Sequence, residues 1–359
     1  MEVRLYGRFS GYGSHAQVSY GFRSALQAAG CAVHALDTTR VEEEGYVVDG
    51  AFAAHAVYTS ELRSVGLLRY NSRHTHRAVM VAPNCDRIPD RLAAAISRAA
   101  TSVLTPSRWA ADVLEQRYFP QAGFVQVVRH GLDPAFHRNP EAAATRREEY
   151  RQQGVFNVVH FSSSETDRKG TLALVQAWEI FRAQSRGYRA RLILVLDAAA
   201  RVTLGRVMVM ESVVMPEDVT LVDRLNLSPA EMATFLQSAH VVCQPSRGEA
   251  FGMVCLESRA CGVPVVQTGC TGHSEALSGM ASGVVLVPSG ALAPLDEAPG
   301  GRAPSVAPAD ISAALLYMRD VWEDMSRDAE READAVREAW SWDKQLAPWI
   351  EQLEELTTP

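Results

Sequence analysis

The chain has 359 residues, 47% hydrophobic and 21% charged, enough for two domains of roughly 100–200 residues with a core each. No uninterrupted apolar run approaches the roughly 18 residues that span a bilayer, and MEVRLYG lacks a basic stretch followed by an apolar one, which excludes an integral membrane helix and predicts a cytoplasmic protein without a secretory signal. The net charge of −7 divides unevenly, with 17 Arg against 15 Asp and Glu in residues 1–150 and 18 basic against 27 acidic residues in the remainder, so the front half is the place to look for an anionic partner.

Six cysteines, at 31, 85, 243, 255, 261 and 270, form no CxxC pair. Neither a zinc site nor a disulfide framework is expected, and the thiols read as reduced and mostly buried. In chain order, Val3–Tyr6 reads as a strand, followed by a loop with Gly7, Gly11 and Gly13 and a helix from His15 to Ala29. Ser14 is the expected cap, Gln17 completes a capping box, and Gly30 stops the helix. Short apolar runs at 53–58, 78–82, 102–105 and 124–128 alternate with helical segments at 88–100 and 107–118, the pattern of a parallel α/β sheet.

Residues 137–153 are polar and read as a linker or surface helix between domains. The pattern then restarts. Strands are expected at 155–161, 191–196, 219–222, 240–244 and 263–268, with helices at 171–181 and 251–260 and a capped helix start at Ser228-Pro229-Ala230-Glu231. Residues 288–308 are dense in Pro, Gly and Ala and predict a long surface loop. The last segment, 342–356, places Trp342, Leu346, Trp349, Ile350 and Leu353 near one helical face. The fold class expected is α/β, with two doubly wound domains, residues 1–138 and 139–341, and the terminal segment 342–359 packs on something distant.

Two strand-end loops carry chemistry. In PSRGEAFGMVCLESRACGVPVVQT, Glu249 precedes a helix and Glu257 lies eight residues on, so two carboxylates can address two ends of one polar ligand at the carboxyl end of a strand. The helix start at Phe251-Gly252-Met253 offers free backbone N–H groups to a phosphate or hydroxyl. Alternatively, Glu249 is a helix cap and Glu257 a solvated side chain. In HFSSSETDRKG, which includes Ser163, Arg168 and Lys169 offer a fork and a point charge to a diphosphate; the other reading is a solvated loop pair. Lys169 and Lys344 are the only lysines in the chain.

GEAFGMVCLESRACGVPVV resembles the acidic "E, seven residues, E" signature of retaining glycosyltransferases of the GT-B fold, family 4 type, and DRKG resembles their donor-phosphate motif. TPSRWAADVL with VVRHGLDPAFHR is similar to the end of that family's first domain. The resemblance is good over about residues 100–285 and only in outline before them. It implies a GT-B architecture, two Rossmann-like domains facing across a cleft, with a nucleotide-diphosphate sugar held by the second and the terminal helix 342–359 packed back on the first. By position it implies that Glu249 contacts the donor sugar, Glu257 the ribose, and Arg168 and Lys169 the diphosphate. Phe251, Gly252 and Met253 would offer backbone amides, with Ser163 and Leu225 beside the nucleotide. Gly11-Tyr12-Gly13 resembles the family's glycine loop. Many members carry a histidine after a first-domain strand; here Pro83-Asn84-Cys85-Asp86 stands there, leaving Asn84, Asp86, His74 and His130 as acceptor-side candidates.

The resulting expectation is a metal-independent, retaining hexosyltransferase that uses a UDP-glucose-like donor and needs no cofactor. Residues 60–130 hold 10 Arg against 5 acidic residues, which suits an anionic acceptor such as a hydroxymethylated base in DNA, a lipid or a polymer. Two other readings stay open, a nucleotide-sugar epimerase of the same fold and a non-enzymatic DNA-binding module.

Overall fold

The computed structural model describes residues 1–38, 55–58, 75–163, 165–185, 187–223, 227–280 and 282–356. Contacts divide the chain into two units, Met1–Asp133 with Ala339–Pro359, and Pro134–Glu338. In chain order the first unit contains β1 (Glu2–Gly7), α1 (Ser14–Ala28), β2 (Ala32–Asp37), β3 (His55–Tyr58), β4 (His76–Met80), α2 (Asp90–Ala99), β5 (Ser102–Thr105), α3 (Arg108–Arg117) and β6 (Val125–Val127). The second contains α4 (Pro140–Gln153), β7 (Val155–Ser162), α5 (Thr171–Gln184), β8 (Arg189–Leu196), α6 (Ala198–Met210), β9 (Val219–Asp223), α7 (Pro229–Gln237), β10 (Val241–Gln244), α8 (Met253–Ala260), β11 (Val265–Thr268), α9 (Thr271–Ala276), β12 (Val284–Val287), β13 (Leu292–Leu295), β14 (Ala298–Pro304), α10 (Pro308–Asp320) and α11 (Trp322–Ala339). The last helix, α12 (Trp342–Glu355), belongs to the first unit.

In the first unit six strands run parallel in the order β2-β1-β3-β4-β5-β6. The chain leaves β1 for β2 on one side and returns to β3 on the other, so the order reverses at the carboxyl end of β1. Val3 and Leu5 are fully buried, and Val79, Ile96, Val103 and Leu114 lie in the core beneath β4 and β5. α12 buries all five residues of its apolar stripe and packs Trp342 and Trp349 around Phe22 of α1, at ring centroids of 6.0 and 5.7 Å. Gly21 makes this possible, because a Cβ there would lie 2.0 Å from the Trp342 ring.

The second unit restarts the plan with parallel strands in the order β12-β11-β10-β7-β8-β9. Its core gathers Phe156, Leu174, Trp178, Phe181, Leu192, Leu194 and Trp322. After β9 the chain crosses back to place β10 on the other side of β7, so the loops following β7 and β10 diverge at a topological switch point, where open α/β sheets bind ligands. Among the described residues no helix is long and apolar enough to cross a membrane.

Several expectations need correction. Ser14 does not cap α1: the helix starts one residue earlier, with Gly13 at the cap and no side-chain bond, and the Gln17 amide instead donates to the Tyr12 carbonyl at 3.3 Å. Residues 288–308 are not a bare loop, because β13 and β14 pair antiparallel within them. Of the two readings of residues 137–153 the helix forms, as α4, capped by Asn139 and closed by left-handed Gly154, and it buries Arg146, which donates to the Gln237 carbonyl at 2.6 Å. β2, α6, α9 and α11 form where no element was expected. The Ser228 capping box with Glu231 forms as its sequence requires.

Replacing Trp342 with Ala removes the ring that fills the space over Gly21. It should cost the first unit about 3–5 kcal/mol, measured by urea unfolding of wild type and variant.

Candidate functional site

The chemistry-bearing side chains of the second unit meet at its switch point. Gly170, at φ +68, ends the loop after β7, and a Cβ there would lie 2.2 Å from the Pro245 carbonyl oxygen. That close approach brings the β7 and β10 loops together. The Lys169 ammonium donates to Glu249 Oε1, and Arg168 Nη1 lies 3.0 Å from the same oxygen. Arg168 also donates to the Gly248 carbonyl at 2.7 Å and to Glu165. Its side chain is 7% exposed, against 20% for Lys169. Arg168 is thus committed to its own loops, whereas the Lys169 ammonium has donors beyond the one given to Glu249.

Glu249 is held from behind as well. Its N–H donates to Thr271 Oγ1 at 3.1 Å, and its carbonyl accepts from Gly272 N–H at 2.8 Å. Only glycine fits at 272, where a Cβ would lie 2.0 Å from the Ala250 oxygen. Glu249 does not cap α8: the cap position is Gly252, at φ +93 and without a side-chain bond. A Cβ at 252 would strike the His273 ring at 2.2 Å. The helix therefore begins at Met253 rather than Phe251, with Phe251 and Met253 buried. Glu257, one turn into α8, is 3% exposed and is no solvated helix residue.

Burial acts to raise the Glu249 carboxyl, but Lys169 and Arg168 outweigh it and hold the group well below the usual carboxylate range. Burial also lowers the Lys169 ammonium, against the pull of Glu249. Two histidines lie under this cluster. His160 Nδ1 is 2.9 Å from the Cys243 carbonyl and its Nε2 3.0 Å from Thr171 Oγ1. His273 lies 3.3 Å from Thr268 Oγ1. Burial pushes each down to about 4, so both are neutral at pH 7.

Ser163 sits at the end of β7, half-buried. In the first unit, Gly11, Tyr12 and Gly13 follow β1 at that sheet's own reversal of order, with Gly11 at φ +72 and Tyr12 42% exposed. Asn84 and Asp86 lie in the loop after β4, where Asp86 is 3.4 Å from Arg117. His130 is buried against Trp342, with ring centroids 5.9 Å apart, and burial pushes it down to about 3. His74 and Leu225 lie outside the described residues. His273, Arg247 and Glu297 were not singled out from sequence; only the position of His273 just past a strand end hinted at it. All six cysteines are free and buried.

Residues 156–298 match the family described as Glycosyl transferases group 1. The matched segment lies within the second unit. The chain is similar to the D-inositol 3-phosphate glycosyltransferases of Pseudarthrobacter chlorophenolicus, 26% identical over 182 residues covering 51% of this chain and 42% of that protein, and of Segniliparus rotundus, 29% identical over 174 residues covering 48% and 38%. The chain thus spans about two-fifths of these curated relatives. Among solved structures, Anabaena HepE in complex with UDP-glucose aligns at TM-score 0.71 and 14% identity over 99% of this chain and 100% of that one. The sucrose-phosphate synthase of Thermosynechococcus elongatus aligns at 0.69 and 15%, over 99% and 100%. These likenesses establish the GT-B fold.

The buried histidines set a pH dependence. Between pH 6.5 and about 4 the unfolded chain binds protons at His160 and His273 that the folded protein does not, so stability falls as pH falls, by about 2 kcal/mol per histidine at pH 5. The depressed Glu249 carboxyl adds to the loss at lower pH, where the unfolded carboxylate protonates first. Urea titrations at pH 7 and 5 should show the drop, and His273→Gln a smaller one.

Proposed function

We propose that this protein is a retaining glycosyltransferase that moves a hexose from a nucleotide-diphosphate sugar, UDP-glucose or a close relative, to an acceptor hydroxyl. The observation that carries the reading is the joining of Lys169, Arg168 and Glu249 at the switch point, next to a helix start whose N–H groups have no side-chain cap. Lys169 spends one of three ammonium donors on Glu249, and the other two suit diphosphate oxygens. The α8 N-terminus adds backbone donors and a partial positive charge at the same end of the sheet. The names of the solved neighbours agree, since HepE is seen with UDP-glucose.

In this reading the sugar C1–O bond breaks as the diphosphate leaves, and positive charge grows on the ring. The acceptor oxygen enters on the same face, and a diphosphate oxygen takes its proton. Lys169 neutralises the leaving group, and Arg168 holds Glu249 and the loop that carries Lys169. These side-chain cations fill the role that a divalent ion would otherwise serve. Glu249, ionised and pinned through its backbone, accepts from sugar hydroxyls. Glu257 accepts from the ribose, and Ser163 with the backbone at Phe251, Gly252 and Met253 completes the donor contacts. The Gly11-Tyr12-Gly13 loop is a further donor-binding assignment, and Asn84, Asp86 and His130 are the acceptor-side ones, with a phosphate-bearing acceptor favoured by the arginine excess in residues 60–130. No feature of the described residues favours the epimerase or DNA-binding readings.

UDP and UDP-glucose should raise the melting temperature of the wild type; a ligand at a hundredfold excess over its Kd stabilises by about 2.7 kcal/mol. Lys169→Ala should abolish most of that rise. Glu249→Ala should remove the difference between UDP-glucose and UDP. If no nucleoside diphosphate or its sugar raises the wild-type transition, the donor assignment is wrong.

A further inference from the structure

No motif or spacing connects residues 288–308 with the loop carrying Lys169. The structure ties them together at every point of contact. Glu297, in the turn between β13 and β14, accepts from the N–H of Asp167 at 2.7 Å and of Arg168 at 3.3 Å. The two amides of the β7 loop that an anion would otherwise find are thereby filled by a carboxylate of the chain itself. Asp167 in turn accepts the Asp296 N–H at 3.1 Å and both bonds of Arg247 Nη1, at 2.5 and 2.7 Å. The rest of the Arg247 guanidinium is spent on the hairpin strands, Nε on the Pro304 carbonyl at 3.2 Å and Nη2 on those of Ala293 and Pro294 at 3.1 and 2.8 Å. Its own N–H donates to the Arg168 carbonyl at 2.8 Å.

Arg247 stands two residues before Glu249, and Asp167 two before Lys169. One guanidinium and two carboxylates therefore lock the β7 loop, the β10 loop and the hairpin into one body directly behind the Lys169–Glu249 ion pair. Lysine has four rotatable side-chain bonds and no planar fork, so its placement depends on where its backbone is held. A guanidinium with all its nitrogens engaged in fixed geometry is the group suited to such holding.

We infer that the β13–β14 hairpin is the brace that aims Lys169 at the donor diphosphate, with Arg247 and Glu297 as positioning residues. The inference rests on the nucleotide-sugar reading for the identity of the ligand, but the brace itself does not. Arg247→Lys keeps the charge and loses the fork, Glu297→Ala opens the two amides, and Glu297→Gln keeps one acceptor oxygen.

Hydrogen exchange on the ligand-free protein tests the brace alone. Glu297→Ala should lose protection in residues 165–170 while α5 stays protected as in the wild type, and unchanged protection in 165–170 overturns the brace whatever the protein binds. Calorimetric titration with UDP then tests the positioning. Glu297→Ala and Arg247→Lys should each weaken UDP at least fivefold, and Glu297→Gln should recover part of the loss. In a Lys169→Ala background Glu297→Ala should change UDP affinity less than twofold, because the brace acts through that lysine. Full additivity of the two substitutions, or wild-type affinity in Glu297→Ala despite lost protection, overturns the positioning role. Absence of UDP binding in the wild type removes the ligand reading and the positioning role with it, and leaves the exchange result to decide the brace.

Discussion

The ion pair between Lys169 and Glu249 is the constraint on which the second unit's carboxyl edge depends. It joins two loops 80 residues apart in sequence, and both partners are largely withdrawn from water. Desolvating a carboxylate and an ammonium costs several kcal/mol per ion, which attraction offsets only when further hydrogen bonds complete the geometry. Those bonds are present: Arg168 shares the carboxylate, and Thr271 and Gly272 fix its backbone. Such an arrangement is a poor way to gain stability and a good way to hold charges where a ligand needs them.

The glycines around it follow from the same demand. At 170, 252 and 272 the chain packs so tightly that a Cβ would overlap a carbonyl or an imidazole. The sheet order sets the rest. Because β10 returns beside β7, the loops that follow these strands face a shared crevice, and residues placed there by sequence distance alone become neighbours.

How much of this could be read beforehand depends on the range of the forces involved. The restart of strand and helix patterns after residue 154, the apolar stripe of the last helix and the Ser228 cap are local signals, and each produced its element. The nearness of Arg168, Lys169 and Glu249 follows from a local motif at each strand end plus the topology of the sheet. The hairpin escaped notice because its strands are short and rich in proline and glycine, and because its pairing with the β7 loop spans 130 residues. Arg247 and Glu297 were invisible for the same reason: nothing near them in sequence says what they touch. Ser14 misled because a one-residue shift in where a helix begins moves a capping side chain into the first turn.

The terminal helix has a consequence for synthesis. The first unit is discontinuous, since α12 supplies Trp342 and Trp349 to a face of α1 formed more than 300 residues earlier. On the ribosome that face stays uncovered until the final residues emerge, whereas the second unit is one unbroken segment that can close its core first. The second unit can therefore be completed before the first, and a released chain ending near residue 340 would carry a whole second unit beside a first unit whose α1 face is bare.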